Sequence, residues 1–351
     1  MKYKIFILLI LLNTNGINAQ LQNSEDSLRA IIKQQKGDTT EVNALVYWAF
    51  KQVQFDSAMK YAQQGLLLSQ KINYRKGEAD CFFQIASFDF TYLKDYSKRI
   101  QNLLNALKIY EDLSYNTGIA EIHLVLQGIY RDVGDYKNAM IHAFLGEHIA
   151  ASNKVVGRIF SFFGHRLAPL FLAEIAKTYI QMNQFDSAEI YIQKSIAQNE
   201  LFNGAVWNFP IYILGTIQNL KGNYKIALVT MRSAIPLAKK NELFRDTLQI
   251  YSGMSTVFKN TGELDSAIYY ADMVDRSVNP ERETSYWLDA IENLSQVYKL
   301  RGNNDSALKY TEHFYTVKDS IYSRVKDREI QNINFNEQLK QKENFISTGK
   351  V

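Results

Sequence analysis

The strongest constraint on the fold is a short sequence element that recurs about every 40 residues. Its clearest copies are Phe55-Asp-Ser-Ala58, Phe185-Asp-Ser-Ala188 and Leu264-Asp-Ser-Ala267. Successive copies are 41, 40, 49, 39, 40 and 40 residues apart at their last position, the anchor. A nearly constant period of this length is typical of stacked supersecondary repeats. The seven anchors are Ala58, Arg99, Ala139, Ala188, Ala227, Ala267 and Ala307.

Other columns keep a constant distance from the anchor. Five residues before it, four repeats have glycine and one has Asn183, and both residue types tolerate the left-handed conformation that ends a helix. Each repeat is therefore predicted to be a helix, a short turn and a second helix. Thirteen residues before the anchor the column is apolar: Leu45, Ala86, Leu126, Ile175, Leu214, Met254 and Leu294.

The anchor alanine is expected where the two helices of a repeat approach closely. One hairpin of this size cannot bury both of its faces, so neighbouring hairpins must stack to supply each other's apolar cover. No stretch shows the period-2 alternation of a half-buried strand. The sequence therefore predicts an all-α superhelical solenoid over residues 20–315, followed by an amphipathic helix and tail in residues 316–351.

These columns resemble the tetratricopeptide repeat (TPR), and the resemblance covers roughly residues 40–315. The long period is similar to that of repeats in kinesin light chains and bacterial signalling proteins. The resemblance implies a right-handed solenoid of about seven TPR-like hairpins with a C-terminal helix. Arg99 in place of alanine, and Gln127 in place of a small residue, depart from the family pattern.

The resemblance also implies a partner-binding groove along the first helices of the hairpins. Tyr47, Phe88 and Tyr212 would stack on an extended peptide or a carbohydrate, although packing between helices is an equally good use for these rings. Arg131 and Lys177 would hold an acidic group. The full set of expected partner-binding residues is Tyr47, Phe50, Gln84, Phe88, Arg131, Lys177, Tyr212 and Asn219.

No motif in the sequence carries catalysis or holds a cofactor. The histidines lack metal-ligand spacing, and His142 and His148 would face largely opposite sides of a helix. Cys81 is the only cysteine and is expected to be a small buried apolar residue. The balance of 40 Lys and Arg against 36 Asp and Glu argues against nucleic-acid binding. We therefore expect a binding protein that is not an enzyme and uses no cofactor or metal.

Residues 1–19 have the layout of a secretory signal peptide. Lys2 and Lys4 precede a short apolar run, and Ala19 stands before the expected cleavage point. The run is far shorter than the ~20 apolar residues that span a bilayer. No lipid-anchor cysteine follows, and no later stretch is long and apolar enough to span a membrane. The expected location is the periplasm or the outside of the cell.

The C-terminal segment completes the functional expectation. Residues 327–343 resemble the helix that leads towards the membrane in exported, repeat-bearing sensor histidine kinases, although no kinase sequence follows. We therefore expect an exported module that binds a protein or peptide as the sensory or adaptor part of a signalling system. A homodimer through the C-terminal helix is one option, and membrane association is expected only if a downstream segment is missing. The alternative is a glycan- or cell-envelope-binding scaffold without a signalling role.

Overall fold

The computed structural model describes residues 27–51, 55–92, 96–132, 134–155, 167–200, 208–240, 244–278 and 285–319. These residues form helices joined by short turns, and none of them forms a β-strand. The predicted all-α class is therefore confirmed. Residues 1–19 and the C-terminal segment beyond residue 319 lie outside the described part of the chain.

Consecutive helices pair as the repeat predicts. Helix α1 is described over residues 27–34 and helix α15 over residues 304–319. From α2 onward, each even-numbered helix is the first helix of a hairpin and the next helix is the second, which confirms the predicted units. Between α1 and α15 lie α2 (Thr39–Lys51), α3 (Phe55–Lys71), α4 (Arg75–Tyr92), α5 (Tyr96–Asp112), α6 (Asn116–Asp132), α7 (Tyr136–Ser152), α8 (Leu167–Gln181), α9 (Phe185–Glu200), α10 (Asn208–Leu220), α11 (Tyr224–Lys240), α12 (Phe244–Thr261), α13 (Leu264–Ser277) and α14 (Ser285–Leu300).

The chain divides into two compact units between Gly118 and Ile119. Unit 1 contains α1 to α5, and in it α2 packs on α3 and α4 while α4 packs on α5. Unit 2 contains nearly all of α6 and the helices after it. Each of the pairs α8–α9, α10–α11 and α12–α13 packs as a hairpin, and α7–α8, α11–α12 and α13–α14 join neighbouring hairpins. Among the described residues, no helix is both long and apolar enough to cross a bilayer.

The anchor column lies in the core, as predicted. Ala139, Ala188, Ala227 and Ala267 are each completely buried. Arg99 occupies the same position in its hairpin, is also buried, and donates its Nε hydrogen to the carbonyl of Ala86 at 2.9 Å. Ala86 is the smallest residue of the column thirteen positions before the anchors, so the hairpin with the largest anchor has the smallest residue in that column.

The turn signals within the hairpins also have the predicted conformation. Gly134 and Gly222 both have φ of +81°, and Asn183 has φ of +57°. In the first of these turns the backbone N–H of Asp135 donates to the carbonyl of Tyr130, and the Asp135 side chain then accepts from the N–H of Asn138. A left-handed residue thus closes the first helix, and an aspartate cap starts the second.

Candidate ligand-binding surface

The first helices of unit 2 build a continuous surface. Helices α8, α10, α12 and α14 pack side by side, and side chains of α6 reach α8. We call the surface that these first helices share the inner wall. It includes Gly128, Arg131, Lys177, Tyr212, Thr216, Asn219, Thr256, Lys259, Glu292 and Gln296, which are groove-facing in the family pattern, and the exposed Asn260 that follows Lys259.

Polar side chains connect neighbouring first helices along the inner wall. Asn260 Nδ2 donates to Asn219 Oδ1 at 3.2 Å, which links α12 to α10. Lys259 Nζ donates to Gln296 Oε1 at 2.6 Å and so links α12 to α14. Asn260 and Gln296 are exposed, and Asn219 is half-buried. Amide groups that both donate and accept therefore face solvent on successive helices, which is the chemistry needed to bind a polypeptide backbone.

A charged cluster lies where α6 meets α8. The Glu174 carboxylate accepts from the Arg131 guanidinium through Oε2 and from Lys177 Nζ through Oε1, the latter at 3.2 Å. Burial alone would raise the pKa of Glu174, but the two cations hold it at about 2. Burial lowers the pKa of Lys177, and the Glu174 charge opposes that shift. Asp132 also contacts Arg131 Nη2, at 3.6 Å, so the cluster holds two cations and two carboxylates in a partly desolvated recess.

The surroundings of this cluster leave part of it open. Gly128, one turn before Arg131, has no side chain, and a Cβ placed there would meet only Arg131 Nη2, at 3.9 Å. Lys177 Nζ lies 5.3 Å from the centre of the Phe209 ring, and a third of its side chain remains exposed. Gln127 is buried, with its Nε2 at 3.4 Å from Glu174, and its Oε1 has no protein donor within reach.

Tyr212 packs between helices. Its ring lies against Gly253 of α12, where an added Cβ would come within 3.0 Å of Tyr212 Cε2. Burial, and to a smaller extent the Asp289 charge, raises the pKa of Tyr212 to about 12, while hydrogen bonds with the side chains of Thr216 and Gln249 oppose the rise. The hydroxyl is therefore neutral at physiological pH, and the ring is used in helix packing.

Acidic residues mark the α14 end of the inner wall. Asp289 is accessible to water but is surrounded by protein mass, which raises its pKa to about 6. The Glu292 charge adds to this shift, and the Lys259 charge opposes it. Burial in turn lowers the pKa of Lys259, against the effect of Glu292 and Asp289.

The eight residues expected from the sequence fall four in each unit. In unit 2 the structure brings Arg131 and Lys177 together on Glu174, and it places Tyr212 and Asn219 on the same face of α10. In unit 1 Tyr47 and Phe50 are half-buried, and the Tyr47 ring meets Trp48 edge-on at 5.8 Å.

The other two expected residues of unit 1 lie on α4. Gln84 is only 4% exposed, so it lies beneath the surface rather than on it. Phe88 lies in α4, but its side chain is outside the described part. The assignment of the eight residues to a partner-binding groove stays a prediction.

Sequence reasoning missed a histidine pair in unit 2. His123 of α6 and His142 of α7 lie with their Nδ1 atoms 2.9 Å apart, and the His142 ring stacks on Tyr130 at 5.3 Å. His123 lies eleven residues before the turn residue Gly134 and His142 lies eight residues after it, so the antiparallel hairpin brings the two side chains near each other. Within the described ranges no group of three or more His, Cys, Asp or Glu side chains is arranged to hold a metal ion.

Comparison with solved structures identifies similar folds. Aspartyl phosphate phosphatase F from Bacillus subtilis matches with a TM-score of 0.61 and 18% identity, over 84% of this chain and 74% of that one. A Rap protein complexed with competence and sporulation factor matches with a TM-score of 0.61 and 16% identity, over 85% and 80% of the two chains. NprR in complex with its cognate peptide NprX matches with a TM-score of 0.58 and 15% identity, over 86% and 82%.

These three structures are TPR-like helical repeat proteins, so the fold of this chain is TPR-like, as the repeat columns predicted. No protein-family model and no curated protein matches the sequence. At the identities found, the similarity extends to the fold alone.

Proposed function

We propose that the protein is an interaction module that binds an extended peptide, or an extended segment of a protein, along the inner wall of unit 2. The observation that carries the proposal is the row of accessible amide side chains across α10, α12 and α14, represented by Asn219, Asn260 and Gln296. Amides on successive helices match the repeating donors and acceptors of a peptide backbone.

Two further observations support a binding role. Asn260 and Gln296 are exposed, so the stack does not need them for folding in the way that it needs the buried anchor alanines. Two of the solved structures with this fold, the Rap protein and NprR, are described with a bound factor or cognate peptide. The proposal assigns the protein no catalytic activity and no cofactor.

The test starts from peptides selected by the protein itself. The chain from residue 20 onward is immobilised and used to enrich a random peptide display library, and the affinity of an enriched peptide is measured by fluorescence anisotropy. The double variant Asn219→Ala/Asn260→Ala is compared with Gln193→Ala, which removes an exposed amide from the second helix α9. We expect the inner-wall variant to lose at least about tenfold in affinity, since each lost hydrogen bond contributes roughly 1 kcal/mol.

The control separates loss of the site from loss of the fold. Gln193→Ala should bind like the unmodified protein, and all forms should unfold at similar temperatures because the substituted amides are exposed or half-buried. Failure to enrich any peptide, or equal binding by the inner-wall variant, would contradict the proposed function.

The same proposal places the module outside the cytoplasm, as the sensory or adaptor part of a signalling system. It rests on the signal-peptide layout of residues 1–19 and on the resemblance of residues 327–343 to a sensor-kinase helix. Export is tested by fusing the full chain to a reporter enzyme that becomes active only in an oxidising compartment. Reporter activity that persists after deletion of residues 1–19 would contradict the proposal that these residues direct export.

A sensory role also predicts dimerisation through residues 317–345. Light scattering on the chain with and without these residues provides the measurement. A dimer that becomes a monomer on their removal is expected, and a monomer in both cases would argue against dimeric sensing.

A further inference from the structure

We draw no further inference here: the strongest candidate, the exposed apolar face of the second helix α7 formed by Ile141, Phe144 and Leu145, carries no proposal because nothing in the described part of the chain shows what covers it.

Discussion

The His123–His142 pair makes the stability of unit 2 depend on pH in a defined way. One hydrogen bond joins the two Nδ1 atoms at 2.9 Å, so one ring must donate and the other must accept. Burial lowers the pKa of His123 from 6.5 to about 4, and the His142 charge adds to the shift. Burial also lowers the pKa of His142, which the Asp135 charge opposes. Protonation of the pair is therefore disfavoured in the folded state.

The sign follows from comparison with the unfolded chain. Because the folded pKa of His123 lies below the unfolded value, the unfolded state takes up a proton first as the pH falls. The stabilising contribution is therefore complete above about pH 6.5 and is lost between pH 6.5 and pH 4. Linkage with these two values gives a loss of about 2 kcal/mol at pH 5 relative to pH 7.5. This corresponds to a decrease of roughly 4 to 8 °C in the unfolding midpoint.

The assay compares thermal unfolding at pH 7.5 and pH 5.0 in three proteins. They are the unmodified chain, His123→Gln and His148→Gln, and His148 is the matched control because it is exposed on the same helix as His142. Carboxylates titrate alike in all three proteins. A difference between the proteins in the stability lost from pH 7.5 to pH 5.0 therefore measures the contribution of the histidine pair. The unmodified chain and His148→Gln should lose about 2 kcal/mol more than His123→Gln. An equal loss in all three proteins would refute the reasoning.

Three further predictions concern packing and reactivity. Gly146→Ala should destabilise the protein by about 1 to 3 kcal/mol in thermal unfolding, because the new Cβ would lie 2.1 Å from Cζ of the buried Phe171. Gly128→Ala meets open space and should be neutral or stabilising by up to about 1 kcal/mol, and equal losses in both variants would refute the packing argument. Tyr110→Phe should cost about 1.5 to 3 kcal/mol in urea unfolding, because the Tyr110 hydroxyl donates to the buried Asp80 carboxylate at 2.6 Å; an unchanged unfolding midpoint would contradict this. Cys81 should react with a thiol reagent only after unfolding, since burial, with the Asp80 and Glu78 charges, raises the pKa of its thiol. Labelling of the native protein as fast as in urea would show that the thiol is accessible.

The fold was predictable because the repeat appears in several columns at once. An alanine that must fit between two helices and a left-handed turn residue five positions earlier are both local requirements, so they leave a readable pattern. The anchors from Ala58 to Ala307 are buried, and Gly134, Asn183 and Gly222 take the expected backbone conformation. The turns between hairpins were harder to predict from the sequence, because their left-handed residues, Asn73, Ser114 and Lys154, are not glycines.

The candidate site was only partly predictable, because it depends on contacts between repeats. Arg131 and Lys177 were named from the family pattern, but Glu174, which binds both, lies 43 residues from Arg131 in the sequence. The alignment of α6 on α8 follows a 49-residue interval that departs from the regular period, so spacing alone does not fix it. The pairing of His123 with His142 was predictable in principle, since the two residues lie eleven before and eight after the predicted turn residue Gly134. The spacing of His142 and His148 concerns the single helix α7 and does not reveal a partner on α6.

The central claim, that the inner wall of unit 2 receives a peptide, is tested most directly by hydrogen–deuterium exchange with and without an enriched peptide. We expect slower exchange in the first helices α8, α10, α12 and α14, including the segments around Lys177, Asn219 and Asn260, with little change in the second helices α9, α11 and α13. Protection confined to the second helices, or to unit 1, would contradict it.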